Sequence, residues 1–138
     1  MKYLIMMYSS QRDHDLMAGR AADGPALTPE DFAPMHEFME SFTKELVDSG
    51  EFVDTQGLDA PVHTRRVQVR DGVPVVTDGP YAETQEVLAG YWVVDCASFD
   101  RATQIAARLS ACPSPGDVFA DSYADVRPIL DHAPEPEL

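Results

Sequence analysis

Basic residues are scarce in this sequence of 138 residues, which has 10 lysines and arginines against 24 aspartates and glutamates and a net charge of −14. Proteins that bind nucleic acid directly present a basic face that releases counterions from the phosphate backbone. A surface this acidic repels phosphate, so direct binding to DNA or RNA is not expected. The charge itself mainly favours solubility.

Cysteines and long apolar runs are also scarce. Cys96 and Cys112 form no CxxC pair, so reduced thiols are expected. The first apolar run, Tyr3 to Tyr8, has six residues and is shorter than the hydrophobic core of a secretory signal. No run approaches the roughly 18 to 20 apolar residues that a bilayer span needs. These features predict a cytoplasmic protein that does not bind membranes.

Sequence signatures of metal and nucleotide sites are missing as well. The four histidines (His14, His36, His63 and His132) have no i, i+4 spacing, and there is no HExxH motif or cysteine cluster. The chain also has no glycine-rich phosphate loop and no GxSxG elbow. Neither a metal nor a cofactor is expected.

The length and an apolar fraction of 44% predict one folded domain over residues 1–130, with 131–138 as a disordered tail. Residues 9–27 are polar and contain glycine and proline, which predicts a long loop. Apolar periodicity predicts helices that begin at Thr28 and at Ser98 or Asp100. It also predicts strands over residues 2–8, 51–58, 64–70, 73–77, 90–96 and 122–129.

This order of elements predicts an α+β fold of the ferredoxin-like kind, a split βαβ arrangement with both helices on one face of a mainly antiparallel sheet. The opposite face would then be bare. Large exposed apolar patches are rare on monomers, so a homodimer in which a second copy covers that face is expected. Tyr91 and Trp92 should point to opposite faces.

The segment DGPYAETQE, residues 78–86, contains the candidate functional residues. Asp78, Gly79 and Pro80 have the chemistry of a tight turn, because Gly permits positive φ and Pro restricts its own φ. A turn does not account for Tyr81, Glu83 and Thr84. A phenol and a carboxylate two residues apart can enter one cleft as a hydrogen-bond donor and a general base.

The run VTDGPYAETQEVLAGYWVVD, residues 76–95, resembles the signature of the DGPF subgroup of the YCII-related proteins. The start of the first strand at Met1, Gly57-Leu58 and the segment 125–129 are similar too. The resemblance implies a ferredoxin-like fold that pairs into a dimeric α+β barrel, with a cleft near the motif. Tyr81 replaces the family's usual phenylalanine and Gln85 a common lysine. Ala89 stands where a glycine pair is usual.

The resemblance also implies a histidine–aspartate pair as an active site, as in the wider superfamily. His14 lies in the divergent loop and His36 on the first helix, so the sequence does not align that histidine. The candidate catalytic residues are His36, Asp78 and Glu83. The candidate ligand-binding residues are Tyr81, Thr84 and Arg65, since an arginine beside a strand can bind an anion or balance nearby acids.

Two functions follow as expectations. The first is a small-molecule-binding protein or metal-independent enzyme with a pocket near the DGPY motif. The alternative is a non-catalytic regulatory module that binds another protein. Some members of the family are associated with extracytoplasmic-function sigma factors, and the negative charge would favour a basic protein partner.

Overall fold

The computed structural model describes residues 1–131 except 22, 25, 117 and 120. The predicted disordered tail therefore lies, apart from Asp131, outside the described residues. The helices are α1 (Gln11–Met17), α2 (Ala33–Ser49) and α3 (Phe99–Arg108). The strands are β1 (Lys2–Ser9), β2 (Phe52–Gly57), β3 (Arg65–Arg70), β4 (Val73–Asp78), β5 (Val87–Asp95) and β6 (Ala124–Pro128).

Four of these strands form one antiparallel sheet in the order β2-β5-β1-β6. The long apolar strands β1 and β5 lie at its centre, as their composition requires. Strands β3 and β4 pair only with each other, in a separate two-stranded sheet. The mixed α+β class and the mainly antiparallel pairing predicted from the sequence are confirmed.

The core lies between one face of the four-stranded sheet and the helices α2 and α3. Alternate residues of β1 and β5 point into it, and they meet the apolar stripes of the two helices. The Trp92 ring meets the Phe42 ring edge to face at 5.3 Å, and the indole nitrogen of Trp92 donates to Thr43 Oγ1 at 3.2 Å. The buried cluster contains Tyr3, Ile5, Phe42, Leu46, Trp92, Val94, Cys96, Ala102, Ile105, Ala106 and Leu109.

The predicted signals for helix ends are present, although the α-helix predicted to begin at Thr28 begins at Ala33. Thr28 and Pro29 begin a short 3₁₀ turn that leads into α2, and Gly50 ends α2 in the left-handed region at φ 78°. Ser98 caps α3 by accepting a hydrogen bond from the Arg101 amide. In the described part of the chain, no helix is long and apolar enough to cross a membrane.

The continuous loop predicted over residues 9–27 is wrong at Gln11–Met17, which form α1. The Ser10 side chain accepts from the Asp13 amide, and the Asp13 carboxylate accepts from the Ser10 amide, so the two form a capping box. This helix buries no residue completely and has no long apolar stripe. Apolar periodicity therefore could not detect it, whereas the pair of capping residues could have.

Candidate functional site

The DGPY segment begins with the tight turn that its sequence predicts. Gly79 has φ +55°, and its amide donates to the Thr64 carbonyl at 2.8 Å. A second short turn follows, closed by the Gln85 amide donating to the Ala82 carbonyl at 3.0 Å. The backbone geometry of the segment is therefore built into the end of the β3–β4 hairpin.

Two of the predicted site residues bind each other. Arg65 Nε donates to Asp78 Oδ1 at 2.9 Å across the β3–β4 pair, and both side chains are exposed. Tyr81 lies beneath the guanidinium of Arg66, with its ring centre 5.5 Å from the guanidinium carbon. A cation over a phenol ring is an attractive contact. Charge and aromatic surface thus meet at the base of the hairpin.

Glu83 and Thr84 are exposed in the loop that follows. The contact from Glu83 to the rest of the chain runs through its backbone, because its carbonyl accepts from the Arg12 amide at 3.0 Å. This bond fastens the loop to the start of α1. The carboxylate of Glu83 faces solvent, and its catalytic role stays a prediction.

His36 is exposed on α2, in the helix layer, while Asp78 ends β4 in the separate hairpin. The Asp78 carboxylate is paired with an arginine rather than a histidine. The acid–base pair of His36 and Asp78 stays a prediction.

A cavity of about 170 Å³ lies at the far end of the DGPYAETQE segment, where Glu86 forms part of its wall. Its other walls come from the end of β1, the start of α1 and the segment before β6. The lining is rich in acids and aromatic rings: Tyr8, Asp13, Glu86, Phe119, Asp121, Ser122 and Tyr123.

Two tyrosines form one wall of this cavity. The rings of Tyr8 and Tyr123 lie 5.4 Å apart at an angle of 34°. The Tyr8 hydroxyl donates to Asp125 Oδ2 at 2.8 Å, and the Tyr123 hydroxyl donates to Glu86 Oε2 at 3.2 Å. Both phenols are therefore held by carboxylates, which orient the rings.

These contacts raise the pKa of both phenols. For Tyr8 the main cause is loss of solvent, followed by the hydrogen bond to Asp125. For Tyr123 the main cause is the hydrogen bond to Glu86, which favours the neutral phenol. The negative charge of Glu86 also repels the phenolate. At neutral pH the two tyrosines are hydrogen-bond donors beside negative charges.

The carboxylates of the cavity are separated from one another. Asp13 is held by the Ser10 amide at 2.9 Å, and Glu86 by Tyr123. In the described ranges, no three side chains of His, Cys, Asp or Glu converge closely enough to hold a metal ion.

A second depression of about 250 Å³ shares Ser122 and Tyr123 with the first. Its walls are mostly apolar and come from β1, α3 and β6, including Met7, Leu109 and Val126. Tyr123 therefore separates an acidic cavity from an apolar one.

Ser9 and His14 form a pair that the sequence did not indicate. Ser9 Oγ lies 3.1 Å from His14 Nε2, a distance typical of nucleophile and base. Ser9 is only 4% exposed, so this contact lies inside the protein. The pair joins the end of β1 to α1 and is structural in this arrangement.

Most of the cavity residues carry no signal in the sequence, because they come from separate segments. Glu86 belongs to the motif, but Tyr8 ends a strand and Tyr123 follows a proline-rich stretch. A single tyrosine in such a position forms no sequence motif that would indicate a site. Only the pairing of β1 with β5 and β6 brings them together.

The fold is that of a small mixed α+β protein, with an acidic, tyrosine-walled cavity at Glu86, the far end of the DGPYAETQE segment. The family model of the YCII-related domain matches residues 1–127, and the chain belongs to that family. An uncharacterised protein of Rhizobium meliloti (strain 1021) is 47% identical over 64 residues, which is 46% of this chain and 47% of that relative. The match thus spans about half the length of the relative.

Proposed function

We propose that this protein is a cytosolic, DGPF-type member of its family that binds a small molecule in the cavity beside Glu86, without a metal. The observation that carries the proposal is the Glu86–Tyr123 contact. It links the last residue of the DGPYAETQE segment to a cavity wall. Tyr81, Thr84 and Arg65 lie earlier in the hairpin and loop and would contact a ligand that extends beyond the cavity.

The charges of the cavity favour a ligand with a positively charged group. Asp13, Glu86 and Asp121 contribute carboxylates, and the tyrosine rings offer π faces to a cation. An anionic ligand would meet repulsion from the same groups. The neighbouring apolar depression would accept a hydrocarbon or aromatic part of such a ligand.

The proposal includes a ferredoxin-like fold and a homodimer of the barrel type. The strand order β2-β5-β1-β6 with two helices on one face supports the first. The opposite face of the sheet, here called the outer face, supports the second. Its centre contains four half-buried apolar residues: Leu4, Met6, Tyr91 and Val93. A second copy would cover them.

Binding is tested with two probes of similar size and opposite charge, 2-phenylethylamine and phenylacetate. A ligand of the native state raises the melting temperature in proportion to RT ln(1 + [L]/Kd). We expect the amine to raise it and phenylacetate to have no effect. The proposal of a cationic ligand fails if phenylacetate stabilises the protein equally well.

Two matched variants locate the site. Glu86→Gln removes a carboxylate from the cavity wall and should abolish the stabilisation by the amine. Glu83→Gln removes an exposed carboxylate from the same loop and should not. Loss of stabilisation in Glu83→Gln alone would place the site where the sequence predicted it. If neither probe nor any member of a metabolite library raises the melting temperature, small-molecule binding is abandoned.

The alternative is a regulatory module without catalytic activity, linked to an extracytoplasmic-function sigma factor. The net charge of −14 favours it, because such a surface attracts a basic protein. Repeated capture of one basic partner, together with a melting temperature that no small molecule changes, would support this alternative.

A further inference from the structure

The β3–β4 hairpin, residues 65–78, stands apart from the rest of the chain. Every residue in both of its strands is exposed, and the two strands pair only with each other. A two-stranded hairpin alone is marginally stable in water. Asp71 and Gly72 close it with φ of 50° and 76°, the left-handed pair that a tight two-residue turn needs.

The hairpin has two different faces. Cross-strand pairing places Val67 opposite Val76 and Val69 opposite Pro74, so one face is apolar apart from the Arg65–Asp78 ion pair at its base. We call this the valine face. The other face combines polar and apolar residues: Arg66, Gln68, Arg70, Val73, Val75 and Thr77. Apolar and polar residues alternate in β3, which is typical of a strand with one buried side.

The valine face has no cover within the described part of the chain. Val67 is 59% exposed, Val69 68% and Val76 52%. The outer face of the four-stranded sheet is also apolar at its centre, around Met6 and Tyr91. One molecule thus presents two apolar surfaces, and neither covers the other.

The charges of the hairpin and of the remaining chain are of opposite sign. Three of the 10 basic residues lie in the hairpin, Arg65, Arg66 and Arg70, against only two of the 24 acids. The outer face contains Asp54, which accepts from the Tyr91 hydroxyl, and Asp125, which accepts from the Tyr8 hydroxyl. Arg65 is paired with Asp78, and Arg66 and Arg70 extend from the other face, so the positive charge of the hairpin attracts an acidic second copy at a distance and makes no contact through the valine face.

We propose that the hairpin is an arm that packs its valine face against the outer face of a second copy of this chain, at the edge strands β2 and β6 and beside the sheet-to-sheet contact of the barrel. This inference rests on the dimer of the proposed function. A two-fold axis lets each copy give one arm and receive one, so both apolar surfaces are covered in a closed assembly. A basic partner protein would instead be repelled by the arginines of the hairpin.

The arm also places motif residues at the interface. Arg65, Asp78 and Tyr81 lie at the base of the hairpin and would approach the second copy. A ligand that contacts them would then be bound by both copies.

The test compares two double variants with the same chemistry on opposite faces. Val67→Thr with Val69→Thr alters the valine face, and Val73→Thr with Val75→Thr alters the other face. Threonine keeps the branched shape and the strand propensity of valine, so each hairpin should remain folded. Circular dichroism of each variant checks this directly.

The dimer dissociation constant is measured by sedimentation equilibrium. We expect the valine-face variant to raise it about tenfold or more, because two buried methyl groups are replaced by hydroxyls, while the control changes it less than about threefold.

The outcomes separate the arm from the dimer. If the wild type and the valine-face variant dimerise equally well, the proposal of the arm is wrong, while the proposal of the dimer is supported. Equal weakening by both double variants also contradicts the assignment of faces. If the wild type is monomeric at about 100 µM, far above the dissociation constants of stable dimers, both the proposal of the arm and the proposal of the dimer are wrong. Binding of 2-phenylethylamine is then still judged by its own test.

Discussion

The Tyr123 hydroxyl donates a hydrogen bond of 3.2 Å to Glu86, a residue 37 positions earlier in the chain. The bond joins the segment before β6 to the last residue of the DGPYAETQE loop. Tyr8 of β1 stacks beside Tyr123 and is itself held by Asp125. Three distant parts of the chain therefore meet at one cavity wall.

This contact should be visible in a tyrosine titration. The hydrogen bond to Glu86, with the repulsion of its charge, raises the pKa of Tyr123 above its ordinary value of about 10. Glu86→Gln removes the negative charge, so the pKa of Tyr123 should fall towards that value. Near-ultraviolet absorbance between neutral and alkaline pH measures it, and Tyr123→Phe identifies the signal. An unchanged titration in Glu86→Gln would refute the contact.

Tyr91 and Trp92 should respond differently to truncation. Trp92 is 8% exposed and packs against Phe42, so Trp92→Ala should cost about 3–5 kcal/mol. Tyr91 lies on the outer face with its hydroxyl on Asp54, so Tyr91→Ala should cost clearly less than Trp92→Ala within one chain. If the proposed dimer forms, only the Tyr91 change should make stability depend more steeply on concentration. Urea unfolding at two protein concentrations tests this, and equal losses would contradict it.

Gly79 should not tolerate a side chain. Its φ of +55° is costly for a branched residue, and an added Cβ would lie 3.4 Å from the Val62 carbonyl oxygen. Gly79→Val should therefore destabilise the fold by about 1–2 kcal/mol. Gly57→Val is the control, because Gly57 has no positive φ and an added Cβ would meet nothing within 4 Å there. Similar melting temperatures for the two variants would argue against a strained turn.

The Glu51–Arg101 ion pair should make stability depend on pH. Arg101 donates to both oxygens of Glu51, at 2.9 and 2.7 Å, and these bonds are the main cause of the lowered pKa of Glu51. A lowered pKa means that the contribution is complete above the ordinary value of about 4.3 and is lost as pH falls through the folded value.

Glu51→Gln should accordingly lower the free energy of unfolding by about 1 kcal/mol at pH 7, after allowance for solvent screening at the partly exposed Arg101. The difference from the parent should shrink in acid. Denaturant titrations at neutral and acid pH measure it. Glu45→Gln, at a more exposed pair with Arg108, should have a smaller effect at neutral pH. A difference that grows in acid would show that the sign is wrong.

Much of the fold could be predicted because its signals are local. Apolar alternation in β1 and β5, the stripe of α2, and the turn residues Asp71, Gly72 and Gly79 each act over a few positions. Helix α1 was missed because it is short and half-exposed, so it has no apolar stripe to detect. Its capping box was the available signal.

The candidate site was harder to predict. The expected positive φ of Gly79 is confirmed, while the functional role of the DGPYAETQE segment stays a prediction. The predicted residues Arg65 and Asp78 instead pair with each other, and Glu83 reaches α1 through its carbonyl. The cavity residue in the motif is Glu86, which no local rule distinguishes from Glu83.

The sequence by itself determined the acidic charge, the order of the six strands and of helices α2 and α3, and the turns, because each depends on residue type and on neighbours within a few positions. Only the tertiary structure decided that Tyr8, Glu86 and Tyr123 share a cavity and that the β3–β4 hairpin stands exposed. These relationships depend on strand order and register, which bring distant residues together, and single side chains do not encode them.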